Sequence, residues 1–303
     1  MTPTDLSALL SHPFTLAVAA RHGVGRSVVR RLVRDGEVRR VLHGVYVGAH
    51  VPDSVAVRAR AAILVSPDRA VICGRTAAAL HGVRVPVGAE AQMHRSPPVE
   101  VAVPEGVSLP RRQGCVGRVM AFVEGEVVRV AGIPVTSAAR TAADVIRTSD
   151  RDTGVVVLDA FLRAGLIPPN ALGGPASRYT RHPGCLRLAT VTRLADPGSA
   201  SEDESRLRLA LVDGGAPAAH AGWEIRAAFG RVLHRFALAW PGERVGLDLT
   251  AERHWVRSRV RVLGGQGWLV LDCPAVQARE DPAATVARIV AELRRWADSE
   301  RAA

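Results

Sequence analysis

A chain of 303 residues exceeds the usual span of one compact domain and predicts two or three. Its 48% hydrophobic and 23% charged residues are globular proportions, which excludes a disordered, collagenous or coiled-coil chain, and no run approaches the ~18 uncharged apolar residues of a membrane span. The net charge of +11 comes from arginine alone: all 40 basic residues are Arg and none is Lys, which excludes a P-loop, Schiff-base or kinase lysine.

Arginine stays charged and binds phosphate and guanine through its fork, so the excess fits a polyanion partner. A GC-rich coding bias, also visible in the alanine, valine and glycine content, gives the same charge as a plain solvated surface. Cys73, Cys115, Cys185 and Cys273 form no C-x-x-C pair, which argues against a zinc ribbon or redox dithiol. Met1-Thr2-Pro3-Thr4-Asp5 lacks a basic region leading into an apolar core, so secretion is not expected and the cytoplasm is.

The first element is an apolar, alanine-rich helix in Phe14–His22, broken at Gly23-Val24-Gly25. A second helix over Arg26–Arg34 puts Val29, Leu32 and Val33 on one face and Arg26, Arg30 and Arg34 on the outer side. Asp35-Gly36 signals a turn, and strands at Glu37–Leu42 and Val45–Val47 flank the tight turn His43-Gly44. Helix, turn, helix and hairpin in this order predict a winged helix-turn-helix over residues 1–50. Arg26, Ser27, Arg30, Arg31 and Arg34 would face the major groove, with Arg39 and Arg40 at the wing. The bland alternative is a helix of ordinary solvated arginines.

Residues 51–165 read as an α+β block. Helices are predicted at Val55–Val65, Thr76–Leu80, Ala138–Ile146 (capped by Ser137) and Val155–Ala164. Strands are predicted at Ala70–Cys73, Val99–Val103, Val116–Phe122 and Ile133–Thr136. His81 reads as a helix-end histidine packing locally, and Arg140 with Asp144 as an intrahelical ion pair. Pro168-Pro169, Gly173-Gly174-Pro175 and Pro197-Gly198-Ser199 mark 166–198 as a linker, with a weak helix from Ser177 to Leu194.

The run Gly23–Val47, containing R-R-L-V-R-D-G-E-V-R-R-V-L-H-G-V-Y, resembles the winged helix of AbiEi-type antitoxins, the antitoxin and autorepressor partners of type IV toxin–antitoxin systems. Ala70–Gly82 (A-V-I-C-G-R-T-A-A-A-L-H-G) and Gly132–Asp144 (G-I-P-V-T-S-A-A-R-T-A-A-D) are similar to the rest of that family, so the resemblance covers about residues 10–165. It implies binding of double-stranded DNA through the winged helix, with a cognate toxin protein as the family's other partner; the lack of an apolar run argues against a membrane partner. It does not place a toxin beside this chain.

From Glu202 the sequence predicts a helix (to Val212), strands at Trp223–Ala227, Leu233–Ala239 and Arg244–Leu249, and a basic helix at Arg253–Leu263. A buried strand at Trp268–Leu271 and a last helix at Pro282–Trp296 follow, the helix with Val286, Ile289, Val290, Leu293 and Trp296 on one face. Residues 199–303 resemble Vsr-like endonucleases of the PD-(D/E)XK fold through Ser201–Arg208, Arg235–Pro241, Arg244–Leu249 and Gly267–Leu271. The fold expectation is therefore an α+β multidomain chain: winged helix-turn-helix, α+β middle domain and a restriction-endonuclease-like α/β domain.

That resemblance implies a divalent metal held by carboxylates, and the departures fall on those positions. Ala237 stands where the family has aspartate, Asp248 where it has glutamate, and Thr250-Ala251 where it has an acid and glycine; Glu204 matches. The four are read as a vestigial catalytic set with no metal and no cofactor. Mg²⁺ enters only if the alternative holds, a working Vsr-like endonuclease, for which Glu252 and His254 would be substitute ligands. Arg253, Arg257, Arg259 and Arg261 read either as followers of a DNA backbone or as a solvated helix face. The main expectation is a DNA-binding transcriptional regulator or antitoxin-like protein with an impaired nuclease-fold domain. A protein-interaction scaffold is the third reading.

Overall fold

The structure is a computed structural model that describes residues 3–86, 97–109, 112–172, 182–252, 254–255, 259–263 and 265–302. Helix α1 (Pro3–Leu10) leads to a two-residue strand, β1 (Phe14–Thr15). Thr15 then ends the strand and caps α2 (Leu16–Arg21), its extended backbone letting the hydroxyl accept from the Val18 amide at 3.3 Å. Helix α3 (Arg26–Arg34) stops where Gly36 takes φ +76, so that the Gly36 amide reaches the Val33 carbonyl and the Glu37 amide that of Leu32. Strands β2 (Val38–Leu42) and β3 (Val45–Gly48) turn about His43-Gly44 and join β1 in an antiparallel sheet of order β1-β3-β2. Phe14, Ala19, Val24, Val29, Leu32 and Val38 form the core between these helices and the sheet. Val33 is 39% exposed and lies outside the buried face predicted for it.

A second sheet follows, of order β6-β5-β4-β8-β7. Its strands are β4 (Val71–Ile72), β5 (Val99–Val103), β6 (Cys115–Val119), β7 (Val127–Val130) and β8 (Ile133–Thr136). The β4–β8 and β5–β6 pairs are parallel, and β4–β5 and β7–β8 antiparallel. Ile72, Val99, Val101, Val103, Ile133 and Val135 pack against Ala59, Ala62 and Ala77 of helices α4 (Val55–Ile63) and α5 (Gly74–Leu80). Helix α6 (Ala138–Thr148) starts at Ser137, whose hydroxyl accepts from the Arg140 amide at 3.4 Å. Strand β7 has no counterpart in the sequence prediction.

The chain divides into two compact units, Met1–Val145 and Ile146–Ala303. The expected break after residue 50 falls inside the first unit, where Arg112 Nη1 donates to the His43 carbonyl at 3.3 Å and Leu42 joins the core of the second sheet. The expected linker, 166–198, falls inside the second. Its stretch 173–181, with the start of the predicted Ser177–Leu194 helix, lies outside the described residues. Cys185–Leu194 forms helix α8, with Leu188 and Val191 buried.

Helix α8 packs on α7 (Arg151–Arg163), as does α9 (Glu202–Asp213). A buried polar network joins them. Asp159, with no exposed surface, accepts from Ser205 Oγ at 2.7 Å, Arg208 Nη2 at 2.8 Å and the Asp196 amide at 2.7 Å. Arg208 also donates to Ser199 Oγ at 3.1 Å and to the Leu194 carbonyl at 2.6 Å. The proline- and glycine-rich run 194–199 is thus fixed by hydrogen bonds, which a hinge would have to break.

The second unit's sheet has the order β14-β15-β13-β12-β9: β9 (His220–Ala221), β12 (Leu238–Trp240), β13 (Val245–Thr250), β14 (Arg259–Leu263) and β15 (Gln266–Pro274). Only β13–β15 is parallel among these described pairs. One face packs on α9 and α11 (Pro282–Ala302) through Leu207, Leu211, Leu247, Leu271, Ile289 and Leu293; α10 (Ala275–Glu280) lies between β15 and α11. The other face carries Phe236, Val270 and Trp268, together with Ile225 from a separate hairpin, β10 (Glu224–Arg226) and β11 (Val232–Arg235). Gly246 permits this second layer, since a Cβ there would run into the Phe236 ring.

In the second unit two elements differ from their prediction, as in the first does the start of the Phe14–His22 helix, whose Phe14-Thr15 forms strand β1. The strand Leu233–Ala239 breaks at Phe236-Ala237 into β11 and β12, which belong to different sheets. The basic helix Arg253–Leu263 is instead the edge strand β14 from Arg259 on; Arg253 and residues 256–258 lie outside the described residues. None of the four cysteines is in a disulfide, and burial pushes the thiols of Cys73 and Cys273 up to about 12.

Candidate nucleic-acid interface

Helix α3, nine residues or about two and a half turns, sets its arginines around two buried anchors. Val29 and Leu32 are buried, while Arg26, Ser27, Arg30, Arg31 and Arg34 are exposed. No acid on α3 faces them; the nearest ion pair is Arg34 with Asp35 at 3.7 Å, both well exposed. Arg39 and Arg40 are less available. Arg39, half-buried, donates to the Val51 carbonyl at 3.1 Å, and Arg40 Nη2 lies 2.6 Å from His43 Nδ1 at the hairpin turn.

Of the four residues expected to form a vestigial catalytic set, Asp248 and Thr250 share one face of the sheet and Ala237 lies on the other. Glu204, buried at the start of α9, accepts from the Ala200 amide at 2.7 Å and pairs with Arg235 at 3.0 Å. Ala237 packs in the core between the sheet and α9 and α11. Asp248 lies on the sheet's other face, where His234 Nε2 donates to its Oδ2 at 2.9 Å. Thr250 shares that face, and its hydroxyl is buried with no hydrogen-bond partner among the described residues. Glu252 and His254 are exposed, and no cluster of three or more His, Cys, Asp or Glu able to hold a metal occurs among the described residues.

Sequence reasoning missed His234 and Asp272. The parallel register sets Asp248 opposite Asp272, and Arg261 on β14 points to the same face because its partner, Trp268, does. Burial pushes the Asp248 carboxyl up and the Asp272 charge adds to this, while His234 and Arg261 pull it back. Period-two alternation in Leu247-Asp248-Leu249 and Leu271-Asp272-Cys273 was the available signal.

In the first unit the two quoted motifs meet. Ile72 of the Ala70–Gly82 run lies beside Val135 of the Gly132–Asp144 run, and His81 Nε2 donates to the Thr136 carbonyl at 2.8 Å, a long-range contact rather than a local one. Arg140 does pair with Asp144 within α6, at 2.6 Å. It also donates to Glu126 at 2.6 Å and to the Ala121 carbonyl at 2.9 Å, with its guanidinium 5.4 Å from the centre of the Phe122 ring.

Among the described residues no helix is long and apolar enough to cross a membrane. Two curated relatives from Mycobacterium tuberculosis, uncharacterized protein Rv2248 of strain H37Rv and uncharacterized protein MT2308 of strain CDC 1551 / Oshkosh, are each 27% identical over 271 residues, covering 87% of this chain and 95% of theirs. The crystal structure of the RV2827C protein from the same organism aligns over 96% of both chains at 13% identity with a TM-score of 0.38. Residues 70–210, from β4 into α9 and so including the segment expected as a linker, match the AbiEi antitoxin C-terminal domain family.

Proposed function

We propose that the chain is a DNA-binding protein of the antitoxin type, in which residues 1–50 act as a winged helix and α3 enters the major groove. The observation that carries this reading is the exposure of Arg26, Ser27, Arg30, Arg31 and Arg34 along one helix whose Val29 and Leu32 are buried, with the β2–β3 hairpin following it. The antitoxin part rests on the family match over residues 70–210, and it makes a toxin protein the second partner. Transcriptional autoregulation follows if the DNA site lies in the chain's own promoter.

The expected result is that Arg26→Ala, Arg30→Ala and Arg31→Ala together abolish a mobility shift at ~150 mM salt, since a good base contact is worth ~1–3 kcal/mol. Arg39→Ala should cost less, its guanidinium being held by Val51. An unchanged shift by the triple variant would defeat the proposal.

The endonuclease alternative is disfavoured by where the acids stand. Glu204 is committed to Arg235 and Asp248 to His234, and an aspartate restored at 237 would project into the apolar core between the sheet and its helices. Plasmid DNA incubated with the chain and Mg²⁺ or Mn²⁺ is expected to stay intact. Nicking that vanishes in Asp248→Ala would establish the alternative instead.

A further inference from the structure

The β10–β11 hairpin ends in a fully exposed aromatic ring held in a backbone conformation that disfavours it. Phe229 has its whole side chain in solvent, at 107% of the reference exposure, and φ +67, in the left-handed region that glycine ordinarily fills. Two costs, exposed apolar surface and left-handed backbone, thus coincide on one residue with Gly230 beside it.

The tip is fixed in advance. The Ala227 amide donates to the Arg231 carbonyl at 2.8 Å and the Gly230 amide to the Ala227 carbonyl at 3.1 Å, closing the loop. Arg226 Nη1 donates to the Gly230 carbonyl at 2.8 Å and is paired with Glu224. At the other end Ile225 is buried against the second face of the sheet. A ring presented this way has already lost the freedom that binding would otherwise remove.

The surroundings say what the ring meets. In the sequence R-A-A-F-G-R, Arg226 and Arg231 bracket Phe229, both exposed. Residues 224–235 hold three arginines and one acid, Glu224, in a chain of net charge +11. An aromatic face beside a cation suits a base flanked by phosphates: the ring stacks and the arginine takes the backbone.

We propose that Phe229 is a base-stacking residue, which inserts at a step of a DNA duplex or stacks on an unpaired base, with Arg231 on an adjoining phosphate and Arg226 holding the tip in place. The hairpin lies in the second unit, so this site is separate from α3, although it deepens the same reading of the chain as a DNA-binding protein.

The test titrates the full chain against a duplex of about 30 base pairs carrying 2-aminopurine, and against the labelled strand alone, from ~50 to ~200 mM salt. Phe229→Gly suits the backbone at φ +67, so its melting temperature should not fall below the parent's. It is expected to lose ~10-fold in affinity for at least one of the two DNAs, together with the 2-aminopurine emission change, at an unaltered salt slope. Phe229→Trp is expected to restore both. Arg231→Ala should instead flatten the salt slope by about 1.

A loss on the duplex identifies a wedge between base pairs; a loss on the single strand identifies stacking on an unpaired base. Affinity and emission unchanged in Phe229→Gly on both DNAs overturn the proposal, and if the α3 triple variant has lost binding, the reading of α3 survives alone. A parent chain that binds neither DNA overturns both.

Discussion

Asp159→Ala is expected to destabilise the second unit by about 3–5 kcal/mol, measured by denaturant unfolding. The substitution leaves the Arg208 guanidinium buried without its carboxylate and strips acceptors from Ser205 and the Asp196 amide. Most of the loss belongs to the stranded charge, so Asp159→Leu combined with Arg208→Met should recover a large part of it. Equal damage in the single and the double variant would show that the network's geometry, and not the charge, is what matters.

The same group sets a pH dependence. Burial pushes the Asp159 carboxyl up, against the pull of Ser205, Arg208 and the Asp196 amide. A carboxyl raised in the fold binds more protons there than in the unfolded chain. Its contribution to stability is therefore full below the unfolded value of about 3.9 and declines as pH rises through the folded one. Asp159→Asn should remove that decline from the stability–pH curve.

Arg140→Ala is expected to cost the first unit about 3 kcal/mol or more. Arg140 is 7% exposed, and its fork serves Glu126 and Asp144, each about 12% exposed, as well as the Ala121 carbonyl. Removing it takes the guanidinium from two mostly buried carboxylates. Arg140→Lys keeps the charge and loses the planar fork, and should recover only part of the stability. A thermal melt with full recovery by lysine would reduce the contribution of Arg140 to its charge.

How much of this was legible depends on the range of the interaction. Helix α3 could be read because Val29, Leu32 and Gly36 are local signals: a buried stripe at helical spacing and a glycine where the chain must turn left-handed. Strand β14 escapes the sequence reading although Arg259-Val260-Arg261-Val262 alternates with period two, because the basic run Arg253–Leu263 as a whole reads as a helix face. The linker reading rests on composition. Proline and glycine near 166–198 mark breaks in helices, and nothing in a single sequence pairs Asp159 with Arg208, 49 positions on. The set Glu204, Ala237, Asp248 and Thr250 rests on a resemblance to a family pattern, which carries no signal of the break at Phe236-Ala237 that turns Ala237 into the core between the sheet and its helices.

Cys73 lies in the core of the first unit and Cys273 in that of the second, and burial holds each thiol almost wholly protonated at neutral pH. Neither sulfur can react with an alkylating reagent until its own surroundings open. With the half-exposed Cys115 and Cys185 changed to serine, the rate of modification at each remaining site becomes a clock for one unit's opening, read from the same sample without denaturant. The chain thus carries a built-in means of finding out whether a ligand that tightens one unit also slows the breathing of the other.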